Sequence, residues 1–246
     1  MSAAPGRPQA SSHRSAEHGG TPVSAREAIL GRLRAATVAA VPSLPDVAGW
    51  AAAHRRDEDN PQRVARLRRA LESVHTEVHD TNTTDWPALL LRLASAKGVR
   101  KLLIGQGTPH GAQLEALQPQ MPQLVRYEQP IEAWRDQLFD DIDASLTLAR
   151  SAIAEVGALI LWPSAAEPRL MSLVPPIHFV LLDVGTLHAD MLSALSAEGW
   201  NKGLPTNALL ISGPSKTADI QQTLAYGAHG PRELVVLLRH AQGATS

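Results

Sequence analysis

From Glu77 onward the chain carries short, mostly apolar runs, two of them interrupted once by Thr147 and His178, separated by stretches of helical periodicity, and this pattern constrains its fold more than any other feature. Leu102 to Ile104, Leu146 to Leu148, Ala158 to Leu161, Ile177 to Leu182, Ala208 to Ile211 and Leu234 to Leu238 are all too short for core helices. A strand with one wet face alternates apolar and polar residues. Runs that do not alternate belong to strands covered on both faces, as in a parallel sheet. The expectation is an α/β fold built on a mostly parallel sheet. Leu124 to Tyr127 reads as a further strand. Arg150 to Glu155 and Thr186 to Glu198 read as helices between strands. Thr84-Asp85-Trp86-Pro87 opens a leucine-rich helix that stops at Lys97-Gly98.

Ahead of this region the pattern is helical. Ser24-Ala25-Arg26-Glu27 is a capping box, and Ile29, Leu30, Leu33 and Ala36 follow at helical spacing, so a helix over Ala25 to Ala36 is predicted. Asn60-Pro61 offers an N-cap followed by proline at the first helical position. Val64, Leu67, Leu71 and Val74 then share one face. Arg63, Arg66, Arg68 and Arg69 lie mostly on the other, beside Asp57, Glu58, Asp59 and Glu72, which reads as a solvated mixed-charge face and not a phosphate patch. The chain therefore divides into a disordered tail (1–22), an N-terminal helical appendage (23–75) and an α/β domain (76–240).

Composition removes several classes of function. With 246 residues, 44% of them hydrophobic, the chain can bury a sizeable core. A formal net charge of -1 supplies no field for nucleic acid. No apolar run reaches the roughly 20 residues of a membrane span. The first residues lack the apolar segment of a signal peptide. There is no cysteine, so the chain has no disulfide, no thiolate nucleophile and no cysteine-held iron–sulfur cluster. This fits a reducing compartment, the cytoplasm.

The richest local signal is Leu209-Leu210-Ile211-Ser212-Gly213-Pro214-Ser215-Lys216-Thr217-Ala218-Asp219, with Gly227-Ala228-His229-Gly230-Pro231 downstream. An apolar strand that stops in small residues beside a helix start would gather unpaired amides, and such a point suits an anion. Gly213, Ser215, Lys216, Thr217 and Asp219 form the candidate ligand cradle, with the His229-Gly230 turn beside it. Ordinary helix capping by Ser215 or Thr217 is the competing reading. The segment is not a P-loop, because the G-x-x-x-x-G-K-[ST] spacing fails.

Gly105-Gln106-Gly107 follows a strand, as a dinucleotide fingerprint would, but His110 stands where the third glycine belongs. A tight turn, or close backbone approach to a ligand by Gly105 and Gly107, remains. Glu155, between Ile153-Ala154 and Val156-Gly157, must be exposed, paired or functional, and it is the candidate catalytic carboxylate. His178 reads as a core or sheet-face histidine. His75-Thr76-Glu77-Val78-His79 does not match a zinc motif, and no metal site is expected.

Ile211 to Ile220 and Gly227 to Leu234 resemble the C-terminal signature of the lactate utilization protein C family, the LUD domain. Ile153-Ala154-Glu155-Val156-Gly157, Arg169 to His178, and the opening Ser24 to Leu30 are similar as well. The resemblance implies a three-layer α/β/α body like that of the NagB, ribose-5-phosphate isomerase (RpiA) and CoA-transferase superfamily. It implies a non-redox subunit of a system that oxidises L-lactate to pyruvate, with iron–sulfur clusters in partner proteins and no cofactor in this chain. Departures from the family pattern are Val156 and Ala158 around Gly157 in place of threonines, Lys216 in place of arginine, and Ser145 in place of glycine. The rival expectation is a stand-alone enzyme of the same superfold acting on a small carboxylate or phosphorylated metabolite, with Glu155 as nucleophile or base.

Overall fold

A computed structural model describes residues 24–36, 43–54, 56–119, 122–218, 224–227 and 229–241. The expected tail at 1–22 lies outside the described residues. The chain divides into two compact units, Met1–Trp50 and Ala51–Ser246. In the first, α1 (Ala25–Ala35) begins at a capping box: the Ser24 hydroxyl accepts from the Glu27 N–H, and the Glu27 carboxylate accepts from the Ser24 N–H. A second helix, α2, covers Val47–His54.

The larger unit is built on a six-stranded sheet. Its strands are β1 (Glu77–Asn82), β2 (Lys101–Ile104), β3 (Gln123–Arg126), β4 (Ala144–Leu148), β7 (Ile177–Asp183) and β12 (Glu233–His240), in the order β1-β12-β7-β4-β2-β3. Every adjacent pair is parallel. The expected parallel sheet is therefore present, with the apolar runs of β2 and β12 and the mostly apolar β4 and β7 at its centre and the polar β1 at one edge. β12 shows why its run is unbroken. Val235 and Leu237 enter the core beneath α4 (Trp86–Ala96), while Leu234, Val236 and Leu238 enter the core on the opposite face.

That second face is covered by α3 (Asn60–Glu72), through Leu67 and Leu71, and by a four-stranded sheet. The helix α6 (Ile131–Asp140) covers the β2–β3 end, with Trp134 edge-on to Tyr127 at 4.7 Å. The first face is completed by α5 (Pro109–Ala116). Helix α3, which the sequence groups with an N-terminal appendage, is thus part of the core of the α/β unit. Its cap is Asp59, one residue ahead of Asn60, with Gln62 closing a capping box.

The four-stranded sheet corrects several expectations. It runs β8 (Leu187–His188), β5 (Ser151–Ile153), β6 (Ala158–Leu161), β9 (Leu209–Ile211). The segment 150–155, expected as a helix, holds β5 and the start of its turn into β6. The expected helix over 186–198 shortens to α7 (Met191–Ala197), capped by Asp190. The runs Ala158 to Leu161 and Ala208 to Ile211 are strands, but they pair antiparallel with each other outside the main sheet. Apolar continuity matches burial on both faces in β6 but not in β9, where Leu210 is exposed, and it carries no record of which sheet a strand joins.

Candidate functional site at the ends of β2 and β4

A doubly wound sheet holds ligands where consecutive connections leave in opposite directions, beyond the carboxyl ends of the strands. Here that point lies between β2 and β4. From β2 the chain passes through α5 to β3 on one side, and from β4 it passes through the small sheet to β7 on the other.

The two strands part at this point. The β2–β4 ladder ends at the Leu103–Ser145 pair, whereas the β4–β7 ladder continues to Leu148–Leu181. The Ala149 N–H donates to the Leu181 carbonyl at 2.8 Å. Parallel ladders send successive N–H groups to opposite neighbours, so the Leu148 N–H points toward the gap that β2 has vacated. A carboxylate fills the gap. Glu167 Oε2 accepts the Leu148 N–H at 3.4 Å, and Oε1 lies 2.7 Å from His110 Nε2. A carboxylate has no proton to give, so His110 Nε2 is the donor. The His110 side chain is 4% exposed and that of Glu167 is 17% exposed.

Each partner is placed by local sequence. Thr108 caps α5 through its hydroxyl, which accepts the Gly111 N–H at 3.1 Å, and Pro109 opens the helix. His110 is thereby fixed in the first turn, beside β2. Glu167 comes from the loop 162–168, which crosses the exit of β2. The Gln106 N–H donates to the Ala166 carbonyl at 3.1 Å. The Glu167 N–H donates to the Ser164 hydroxyl at 3.1 Å. A Cβ on Gly105 would lie 2.7 Å from the Ala166 carbonyl oxygen and 2.7 Å from Glu167 Cγ. Gly105 thus permits a close backbone approach, and what approaches is the chain's own loop.

Under the loop is a cavity of about 10 Å³ lined in part by Thr147, Leu148, Trp162, Glu167, Arg169 and Ser172. Beneath it, Thr147 Oγ1 meets His178 Nε2 at 2.8 Å on the sheet face, and Ser145 donates to the Met171 carbonyl. Burial lowers the His178 pKa to about 3, so the ring is neutral, and its Nδ1 has no partner. A wider, open cleft of about 1080 Å³ lies at the ends of β1 and β12, with Val64, Arg68, Arg69, Asp80 and His240 on its walls. There the Arg68 guanidinium is already taken up by Asp80 and the Val78 carbonyl.

The residues that the sequence grouped around Lys216 lie elsewhere. Ser215 and Gly230 do come together: a Cβ on Gly230 would lie 3.2 Å from Ser215 Cβ. No helix starts at Lys216, however. Lys216–Ala218 is a strand, β10, paired antiparallel with β11 (Leu224–Tyr226). Ser215 cannot cap a helix because its backbone is drawn into the hairpin, its N–H donating to the Pro231 carbonyl at 2.8 Å and its carbonyl accepting from Gly227 at 2.9 Å. Nor does Ser212 end a strand of the parallel sheet, since β9 pairs antiparallel with β6. Gly213 packs on α3's trailing Val74, where a Cβ would lie 2.9 Å from Val74 Cγ2. Lys216 and His229 are exposed, and Asp219 and the Thr217 side chain fall outside the described residues. Glu155 is exposed in the turn between β5 and β6, and Gly107, at φ +65°, faces open space.

Sequence reasoning singled out neither His110 nor Glu167 as a site residue. The available signal was His110 itself, standing where a nucleotide fingerprint would have glycine. Among the described residues, no group of three His, Cys, Asp or Glu side chains is placed to hold a metal ion. Nor is any of their helices long and apolar enough to cross a membrane.

Fold and gap together define an α/β protein whose main parallel sheet parts at a topological switch point. The LUD domain family model matches residues 64–238, and the chain belongs to that family. An uncharacterised protein of Neisseria meningitidis serogroup B is 42% identical over 170 residues, covering 68% of this chain and 73% of its own. Lactate utilization protein C of Bacillus pumilus is 24% identical over 187 residues, covering 71% of this chain and 77% of its own. Lactate utilization protein C of Shouchella clausii is 36% identical over a shorter stretch, 36% of this chain and 40% of its own. The crystal structure of a DUF162 family protein from Deinococcus radiodurans superposes with a TM-score of 0.56 at 19% identity, over 74% of this chain and 99% of that one.

Proposed function

We propose that this protein is a non-redox component of a lactate utilization system and that it binds a small anionic metabolite at the gap between β2 and β4. The name shared by several relatives, lactate utilization protein C, supports the first half of this reading. The second half is carried by one observation: a largely buried histidine and a backbone N–H converge on a carboxylate at the switch point of the sheet. Two donors aimed at one place select an anion with two oxygens.

The chain has no cysteine with which to hold an iron–sulfur cluster. Oxidation of L-lactate to pyruvate removes two electrons. In this reading iron–sulfur partner proteins in the cytoplasm take them up, while this chain binds and presents the substrate. The test is to isolate the tagged protein from its own cells and assay L-lactate oxidation with and without the proteins that accompany it. The reading expects cysteine-rich partners and turnover only in their presence. Turnover by the isolated chain would instead favour a self-sufficient enzyme, for which the buried His110–Glu167 pair offers an acid–base couple.

A further inference from the structure

The gap between β2 and β4 is occupied by the protein itself. We propose that it is a carboxylate seat for a small 2-hydroxy or 2-oxo acid, and that Glu167 is its internal occupant, carried away with loop 162–168 when the ligand enters. The inference rests on the ligand-site reading above, and adds to it the ligand's binding group and its way in.

Donor count sets the chemistry. The Leu148 N–H, on a half-buried residue, has lost its β2 neighbour and takes Glu167 as its acceptor instead. His110 Nε2, almost sealed from solvent, is the second donor. Any occupant other than Glu167 must present acceptors to both, as a ligand carboxylate would. Arg169 is exposed, lines the same cavity and adds positive charge close by.

Size sets the order of events. About 10 Å³ holds one water, so even a three-carbon acid enters only after the Glu167 side chain has left. The hold on that side chain is modest. One of its two hydrogen bonds is long, at 3.4 Å, and the Gln106–Ala166 backbone bond must open with it as the loop lifts. Gly105 lets the loop rest directly on the seat, since any larger residue would strike Ala166 and Glu167.

The experiment removes the occupant and offers a free carboxylate. Wild type, Glu167→Ala and the double variant His110→Ala/Glu167→Ala are melted in sodium chloride and in sodium acetate of equal ionic strength. Glu167→Ala is expected to melt below wild type in chloride and to recover in acetate, wild type to respond equally to both salts, and the double variant not to recover. L-Lactate titrated by calorimetry should bind Glu167→Ala about tenfold more tightly than wild type, because the competing group is gone. Acetate that leaves Glu167→Ala unmoved, or that raises wild type as much, overturns the proposal. If Glu167→Ala does not fold, Glu167→Gln carries the test: the amides of residues 164–167 should exchange faster than in wild type and slow again in acetate, and unchanged exchange overturns the proposal. Acetate rescue in a protein that cells do not need for lactate oxidation would leave the seat standing and remove only the functional reading.

Discussion

Thr147 Oγ1 and His178 Nε2 lie 2.8 Å apart inside the main sheet, and this is the only hydrogen bond of a fully buried imidazole whose other nitrogen has none. Replacing Thr147 by valine keeps the shape and strands the ring. Truncating one partner of a buried hydrogen bond costs about 1–3 kcal/mol, and Thr147→Val should show that loss in urea unfolding.

The same histidine sets an acid limit. Its pKa falls from the ordinary value of 6.5 to about 3 on burial, so between those values the unfolded chain binds a proton that the folded chain refuses. Stability therefore drops as pH falls through this window, with a slope approaching about 1.4 kcal/mol per pH unit. His178→Phe should flatten the slope, as measured by urea midpoints across the range.

Glu198 gathers Arg150 Nε at 2.7 Å, His188 Nε2 at 3.1 Å, Trp200 Nε1 at 3.1 Å and the Ser151 hydroxyl. Burial works against the charged carboxylate, but these bonds outweigh it and lower its pKa from 4.5 to about 2. The stabilisation is complete above the ordinary carboxylate pKa and is lost as pH falls toward 2. Glu198→Ala leaves several donors unpaired at once and should cost about 2–3 kcal/mol at neutral pH, read from the melting temperature.

Two glycines in the left-handed region separate strain from collision. Gly157, at φ +63°, faces Ala70, whose Cβ would lie 2.7 Å from a new one, whereas Gly107, at φ +65°, faces open space. Gly107→Ala should cost only the conformational penalty of about 1–2 kcal/mol. Gly157→Ala adds overpacking between α3 and the small sheet and should lose about 1–3 kcal/mol more. Chemical denaturation of the pair gives the difference directly.

The parallel sheet was legible because burial on both faces writes unbroken apolar runs, as in Leu102 to Ile104 and Leu234 to Leu238. Alternation of strand and helix then settled the fold class. What stayed hidden depends on contacts between residues distant in sequence. Lys216-Thr217-Ala218 has no strand-like apolar pattern, and Ser215 ahead of it looks like a helix cap until Pro231 and Gly227 take its backbone. Glu167, in Ser164-Ala165-Ala166-Glu167-Pro168-Arg169, carries no local mark of a site. Only the fold brings it to a histidine 57 residues away. Gly105 allows a close approach, but nothing along the chain says that the group approaching it is the protein's own.

The most direct test of the central claim places the site in the cell. A strain lacking this gene is complemented with wild type, His110→Ala or Lys216→Ala, each confirmed to fold, and L-lactate consumption is measured. A site between β2 and β4 predicts that His110→Ala loses most lactate consumption while Lys216→Ala keeps it. Full consumption with His110→Ala and loss with Lys216→Ala would contradict the account and move the site to the β10–β11 hairpin.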